Sequence, residues 1–342
     1  MSLTNMQLAE LCAIGAEQFT ENKEKALRRT SRKALQWPEE AAKIASDGRS
    51  LRELDGVGPW VAAQLDALLN EPPEEIPEPP PIRAGFESFA ASRELLATEP
   101  ARRRDIKGDL QMHTRYSDGR ASIRDMANSG IELGYDYIAI TDHSKGLKIA
   151  GGMDEDTLAN QGAEIDDVNG ELDGFRVLKA LEMNVSPDGS GDMEPDALLS
   201  LDLVLGSFHS KLRIKEDQTE RYLSALRNPY VHVLGHPRGR IFNFRLGLSA
   251  DWPRVFEEAA ALDKAVEIDG FPYRQDLNVG LLELARESGV RISIGTDAHN
   301  EAEMQYIEVG AAAALAAGIP TDRILNYKPA DEILAWTDSL KP

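Results

Sequence analysis

The sequence predicts an α/β protein in which a parallel seven-stranded (β/α)7 barrel follows a small all-α region. From about residue 105, short apolar runs alternate with longer amphipathic stretches, the pattern of parallel βα architectures. Each apolar run leads straight into polar residues, and in a parallel barrel such positions converge at the C-terminal mouth. An open doubly wound sheet would instead draw its ligands from two or three strands at one switch point. Upstream, residues 4–70 carry helical patterning with little strand signal. The run 71-EPPEEIPEPPPI-82, six prolines among four glutamates, parts the two regions. It can build neither a helix nor a central strand, so an extended, semi-rigid spacer is expected. The expected division is 1–70 for the helical domain, 71–104 for spacer and connecting helix, and 105–342 for the barrel.

Within the helical region, 51-LRELDGVGPWVAAQLDALL-69 reads as helix, tight turn, helix. Gly56 and Gly58 permit the turn, and Pro59 suits the first position of the second helix. The preceding stretch concentrates Lys23, Lys25, Arg28, Arg29, Arg32 and Lys33, either a basic face for phosphates or a solvated face with pairs such as Glu21–Lys25 and Glu24–Arg28. A connecting helix over 84–104 begins near Ser88 and ends in Arg102, Arg103 and Arg104. In the barrel, strands are expected at about 108–113, 136–141, 175–182, 202–207, 230–235, 264–268 and 291–295. Helices are expected between them at 122–134, 155–169, 217–227, 252–262 and 276–288, with further helices at 301–317 and 330–338.

The composition is that of an ordinary globular chain, with 42% apolar and 28% charged residues among 342. No apolar run approaches a membrane span, and the first residues lack the basic, apolar pattern of a secretory signal. Cys12 is the sole cysteine, which excludes an internal disulfide and a thiolate metal cluster and fits a reducing, cytoplasmic setting. A net charge of -20 gives no bulk affinity for nucleic acid. Carboxylates gathered at a metal site, however, are neutralised by the ions they hold.

Five of the six histidines sit at strand ends beside a carboxylate or a glycine, in 113-HTRYSD-118, 141-TDHS-144, 206-GSFHS-210, 234-LGHPRGR-240 and 295-GTDAHN-300; 180-ALEMN-184 adds Glu182. One such histidine is more often a hydrogen-bonded structural residue than a ligand. Five together with carboxylates point to a polynuclear site of nitrogen and oxygen ligands suited to zinc, manganese or iron. His232 lies one layer deeper on the strand face of His236, where a packed structural role is expected. Ser144, His143 and Asp142 are adjacent in sequence, a poor basis for a nucleophilic triad. Arg115, Lys145, Lys211, Arg238 and Arg240 flank the motifs as candidate phosphate binders, with Lys211 and Arg238 preferred because each lies two residues from a candidate ligand.

These motifs, with DLQMHTRYSDG, GYDYIAITDHS, LDLVLGSFHS, NPYVHVLGHP, VEIDG and ISIGTDAH around them, resemble the PHP domain (polymerase and histidinol phosphatase), especially that of bacterial family X DNA polymerases. The resemblance spans nearly all of 105–340. It implies a distorted seven-stranded, TIM-like barrel holding two or three divalent metals and hydrolysing phosphate esters. The implied sub-sites are Gln111, His113, Glu182 and Asp297; Glu182 bridging to His209 and His236; and Asp118, His143 and His299. Glu182 and Asp297 would also act in catalysis, with Lys211 and Arg238. Gln111 departs from the pattern, standing where the first histidine of an H-x-H pair is expected. Its neutral amide is a weaker ligand, and binding to a neighbouring polar side chain is the equal alternative.

The 51–69 stretch resembles a helix-hairpin-helix motif, and AEQFTENKEKALRRTSRKAL is similar to the N-terminal helical domain of the same polymerases. This implies DNA-backbone binding through Gly56, Gly58 and the basic residues named above. Only some 35 residues separate the two regions, too few for a polymerase palm. The expected function is therefore metal-dependent hydrolysis at DNA ends or damaged DNA, of 3′–5′ exonuclease or 3′-phosphatase type. The alternative is a phosphatase for a small phosphomonoester such as histidinol phosphate or a nucleotide, and the third class is a DNA-binding scaffold with a structural metal site.

Overall fold

The computed structural model describes residues 2–342. Four helices come first: α1 (Asn5–Ala16), α2 (Glu21–Lys33), α3 (Ala41–Ser46) and α4 (Pro59–Asn70). Thr4 caps α1 through a reciprocal capping box with Gln7, which satisfies two otherwise orphaned amides. Before the turn at Gly56 the expected helix is a single 3-10 turn, Leu51–Glu53, after which Leu54 is already extended. Gly56 has φ +80°, and a Cβ there would meet Lys33 Cγ at 3.3 Å, so glycine is required on both counts. α4 starts at Pro59 with Gly58 as an uncapped N-cap. Leu8, Leu35, Trp37, Ile44 and Leu65 form the core of this region, and Phe86 and Phe242 from farther along the chain complete it.

Residues 71–82 contain no helix or strand. The expected helix over 84–104 is two: α5 (Phe89–Leu96), capped by Ser88, and α6 (Ala101–Arg104). Pro100 separates them, because its ring and missing N–H cannot continue the first helix.

Seven strands follow: β1 (Gly108–Asp109), β2 (Tyr137–Ile140), β3 (Arg176–Asn184), β4 (Leu203–Ser207), β5 (Val233–Leu234), β6 (Ala265–Asp269) and β7 (Arg291–Gly295). Each pairs in parallel with the next, in sequence order. The barrel closes between its ends through a bridge from Met112 to Ala298, with the His113 amide donating to Ala298 O at 2.8 Å. β1 and β5 are shorter than expected, and β3 runs two residues further, to Asn184.

Helices α7 (Ile123–Glu132), α8 (Glu155–Glu171), α9 (Pro195–Leu199), α10 (Thr219–Arg227), α11 (Trp252–Ala261), α12 (Val279–Ser288) and α13 (Ile307–Ala316) cover the outside, and α14 (Ala330–Leu340) ends the chain. The expected helix 301–317 opens as a 3-10 segment, Glu301–Tyr306. Between sheet and helices lies a core containing Ile138, Val177, Phe256 and Ile292. Inside the barrel, Leu110, Leu178, Leu203 and Val233 pack with Trp336 and Ile333 of α14, filling the end opposite the mouth. His232 belongs to this floor: its Nδ1 accepts from the Val204 amide at 3.0 Å, and its ring lies 6.3 Å from Trp336.

Candidate metal centre

The strand ends bring the predicted histidines and carboxylates around one buried carboxylate, Glu182 near the end of β3. Its Oε1 lies 2.5 Å from His236 Nε2 and 3.0 Å from His209 Nε2. Its Oε2 lies 3.3 Å from His143 Nδ1, 3.4 Å from His113 Nε2 and 3.2 Å from Gln111 Nε2. His113 Nε2 also meets Asp297 Oδ1 at 2.9 Å. Asp118 approaches His299 at 3.4 Å and His143 at 3.6 Å. All nine expected ligands thus fall in one contiguous cluster.

Three groups have ligand atoms close enough to share an ion: His113, Glu182 and Asp297; His143, Glu182 and His209; His113, His143 and His299. The first matches the expected sub-site apart from Gln111. In the second, His143 takes the place expected for His236, because its ring lies between Glu182 and Asp118 and stacks on His113 at 4.4 Å. Gln111 is fully buried; its Nε2 faces Glu182 while its Oε1 has no hydrogen-bond partner. Gly295 makes room for it, since a Cβ there would lie 2.5 Å from Gln111 Cβ and 2.4 Å from Glu267 Oε1.

The electrostatics follow from burial and pairing. Burial opposes charge on Glu182, but His143, His236 and His209 outweigh it and hold the carboxyl well below its usual range. Burial likewise disfavours a charged His236, yet Glu182 lifts it to about 10. For His143 burial prevails and lowers it to about 3. Asp297 has φ 52°, a left-handed conformation that aspartate tolerates better than most residues and that marks functional strand ends. Against burial, Arg274, His113 and His299 hold its carboxyl far below the usual range.

Neighbouring bonds fix these groups. Asp142 accepts from the Thr114 amide at 2.7 Å, Thr114 Oγ1 at 2.5 Å and Gln161 Nε2 at 2.6 Å, while Ser144 Oγ bonds Asp192, so no Ser–His–Asp relay exists. Asp109 joins the Thr296 hydroxyl to the Gln111 amide. Asn184 Oδ1 lies 3.3 Å from His209 Nδ1, a contact that orients the ring. His299 Nδ1 lies 2.7 Å from Asp297 O.

Three groups at this site escaped the sequence reading. Arg274 places Nη2 3.0 Å from Asp297 Oδ2 and Nε 3.9 Å from Asp269. Glu267 and Asp269 are buried on β6 with pKa values raised well above the usual range, by burial first and by neighbouring carboxylates second. VEIDG and FPYRQD carried the signal, a strand end followed closely by a cation, but a search for imidazoles passes over arginine. Asp118, Arg120, Phe271, Tyr273, Arg274, Asp297 and His299 line a mouth cavity of about 260 Å³.

The preferred cations need correction. Arg238 does not join the cluster: its guanidinium donates to Leu246 O at 3.1 Å and Leu248 O at 3.3 Å, bracing its own loop. Arg240 donates to Ala84 O and Gly85 O at 3.1 Å and lies 3.6 Å from the centre of the Phe86 ring, tying the spacer to the barrel. Lys145 pairs with Glu155, and Arg115 bonds Arg120 O. Lys211 is exposed with φ 53°.

In the helical region the basic residues divide. Lys23 and Arg29 line a cavity of about 800 Å³ with Gly56, Gly58 and Trp60. Lys33 pairs with Asp55 at 2.5 Å, Arg28 with Glu24 at 2.9 Å, and Arg32 lies over the Tyr273 ring at 5.6 Å. Lys25 is exposed.

The donors fit divalent metals. All are imidazole nitrogens and carboxylate or amide oxygens, and Gln111 Oε1, His113 Nδ1, His143 Nδ1 and His236 Nδ1 are buried without hydrogen-bond partners. Among the described residues, no helix is long and apolar enough to cross a membrane.

Known proteins place the chain. Residues 109–271 match the PHP domain model. "DNA polymerase/3′-5′ exonuclease PolX" of Bacillus subtilis is 38% identical over 262 residues, covering 75% of this chain and 45% of that protein. The chain therefore spans less than half the length of that relative. A "probable phosphatase" of Acetivibrio thermocellus is 31% identical over 202 residues, covering 56% of this chain and 78% of that protein. A solved histidinol phosphate phosphatase from Lactococcus lactis aligns over 62% of this chain and 94% of its own at 18% identity, with a TM-score of 0.47. The chain belongs to the PHP domain family and is a metal-dependent hydrolase of phosphate esters.

Proposed function

We propose that this protein hydrolyses phosphate esters at DNA ends, as a 3′–5′ exonuclease or 3′-phosphatase in repair, with the helical region gripping the backbone and the barrel mouth holding the scissile phosphate. The observation that carries the hydrolytic part is the convergence of His113, His143, His209 and His236 on Glu182, with Asp297, Asp118 and His299 alongside. Two or three Zn, Mn or Fe ions held there would activate water and neutralise charge developing on the phosphoryl oxygens.

The chain's own groups do the rest. Glu182 joins the two sides of the cluster, one oxygen facing His209 and His236 and the other His113 and His143. Asn184 orients His209, and Arg274 holds the second oxygen of Asp297. Arg274 and Arg120 line the same cavity and supply positive charge where a phosphate would sit.

The DNA part draws support from the hairpin cavity lined by Lys23, Arg29, Gly56 and Gly58, beside the uncapped start of α4, whose amides suit a phosphate oxygen. The similarity to a polymerase/exonuclease points the same way. A second reading, a phosphatase for a small monoester, is favoured by the modest size of the 260 Å³ mouth cavity. We assign 1–70 to DNA binding, 71–104 to connection and 105–342 to hydrolysis.

The test uses end-labelled DNA, phosphomonoesters and a generic diester with Mn²⁺ or Zn²⁺. His113→Ala and His299→Ala should each abolish turnover of all three; full activity in both would sink the metal mechanism. The Lys23→Ala/Arg29→Ala double variant should lose DNA turnover, flatten its salt dependence and spare the monoester. If DNA turnover and its salt dependence stay at wild-type levels, the monoester reading replaces the DNA one.

A further inference from the structure

The loops after β4 and β5 carry more than His209 and His236. Residues around 212–215 and 238–249 enclose a cavity of about 550 Å³ whose lining includes Arg213, Lys215, Arg238 and Arg245 and no carboxylate. The guanidiniums are held by backbone carbonyls: Arg213 by Phe244 O at 3.2 Å, Arg238 by Leu246 O, and Arg245 by Gly239 O. Carbonyls fix the direction of a guanidinium without cancelling its charge. In a chain of net charge -20 this is a local concentration of positive charge.

Apolar surface lies in the same place. Phe244 is 55% exposed and Leu246 51%, far above the buried norm for such side chains. Arg213 lies 4.6 Å from the centre of the Phe244 ring, so one edge of the aromatic is braced by a cation. The loop beneath is fixed too: Asn243 has φ 53°, its amide donates to Ile82 O at 3.1 Å, and its Oδ1 accepts from Arg83 at 3.0 Å. An exposed, braced aromatic among unneutralised cations is the arrangement that binds single strands, where bases stack and phosphates meet arginine and lysine.

We propose that this cavity is a subsite for single-stranded nucleic acid, in which a base stacks on Phe244 against Leu246 while flanking phosphates meet Arg213 and Lys215. The strand's continuation then reaches the mouth along the loop residues that lead back to His209 and His236, two residues before Lys211 and Arg238. This rests on the DNA reading above and adds its substrate form, an unpaired strand. The overall acidity disfavours docking on an anionic membrane, and the concave floor offers a base more than an acidic peptide needs.

The experiment measures binding of a fluorescent single-stranded oligonucleotide to the full chain, alongside turnover of a small phosphomonoester. Phe244→Ala should weaken oligonucleotide binding roughly tenfold, and Phe244→Trp should restore it. Arg213→Ala/Lys215→Ala should lower the slope of log affinity against log salt by about 1.4. Monoester turnover should be unchanged in Phe244→Ala; a parallel loss there would mean a structural effect and overturn the subsite. If wild type binds and responds to Lys23→Ala/Arg29→Ala but not to Phe244→Ala, only the subsite fails. If wild type binds no oligonucleotide, the subsite and the DNA reading fail together. Equal, Phe244-dependent competition by polyglutamate would reassign the cavity to acidic peptides and also overturn it.

Discussion

Arg274 is the cation on which the carboxylate side of the cluster depends, and its removal has a calculable consequence. Its Nη2 stands 3.0 Å from Asp297 Oδ2, with Asp297 3% exposed and the arginine side chain 24% exposed. At that separation the gross attraction is roughly 5 kcal/mol for an effective dielectric of about 20. Deleting one partner of a buried pair typically costs about 3–5 kcal/mol, because the other charge stays behind uncompensated. Asp269 adds to the effect, since the same guanidinium lies 3.9 Å from it and partly offsets its repulsion with Asp297. Arg274→Met keeps most of the stem and removes the charge. In urea unfolding at pH 7 with chelator present, it should lose about 3 kcal/mol or more. Asp297→Asn in the same protein should remove much of that loss, giving a coupling energy of about 2 kcal/mol in the double-mutant cycle. If the two substitutions add to within about 0.5 kcal/mol, the ion pair is not what organises this side of the site.

Gln111→His places a stronger nitrogen donor beside the orphaned amide position and should retain more metal after dialysis against a weak chelator, without loss of turnover. Unchanged stoichiometry, measured by elemental analysis, would show that this position does not coordinate. Lys264 is buried and donates to Asn228 O at 2.6 Å; burial lowers it from 10.5 to about 8. The unfolded chain therefore keeps this proton to higher pH than the folded one. Its stabilising contribution is absent below pH 8 and grows as pH rises towards 10.5, by on the order of 3 kcal/mol in full. Unfolding midpoints at pH 7.5 and pH 10 should rise less in Lys264→Met than in wild type, and an equal rise would refute the assignment. Gln275→Asn withdraws the amide that spans both backbone groups of Glu87, at 2.9 and 2.7 Å. It should destabilise the protein by about 1–3 kcal/mol and lower kcat for monoester and DNA alike, which paired urea and kinetic measurements would check.

The barrel was legible because each strand is a short apolar run that ends abruptly in polar residues, and the same signal located all nine cluster residues. Its errors have local causes. Pro100 divides a stretch whose composition otherwise suits one helix, and the hairpin's first helix shrinks to Leu51–Glu53 because the chain is extended by Leu54. β5 pairs over two residues although its apolar pattern is longer, since His232 and its neighbours turn into the floor. Spacing misled most for the cations. Arg238 and Arg240 stand near His236 in sequence, but the carbonyls of 246–248 and of 84–85 take their guanidiniums. Proximity along the chain does not say which way a six-atom side chain turns. Arg274, five residues beyond its strand, turns inward and pairs with Asp297.

Four consecutive residues of one loop explain how the helical region and the hydrolytic centre can act together. Tyr273 lies beneath Arg32 of α2 and also lines the mouth cavity. Arg274 grips Asp297. Gln275, with φ 44°, bonds both backbone groups of Glu87 at the approach to α5. Asp276 accepts from the amides of Arg238, Gly239 and Arg240, just past His236. The helical region is anchored independently by the buried pair Arg83–Glu10 at 2.7 Å and by Phe242 in its core. Its seat is therefore built from the same loops, after β5 and β6, that hold His236 and Arg274. A strain on α2 from a bound strand has a short mechanical route to Asp297, through two adjacent residues. Because packed loops shift between discrete arrangements rather than deform smoothly, that route makes occupancy of the helical region and geometry of the centre linked quantities.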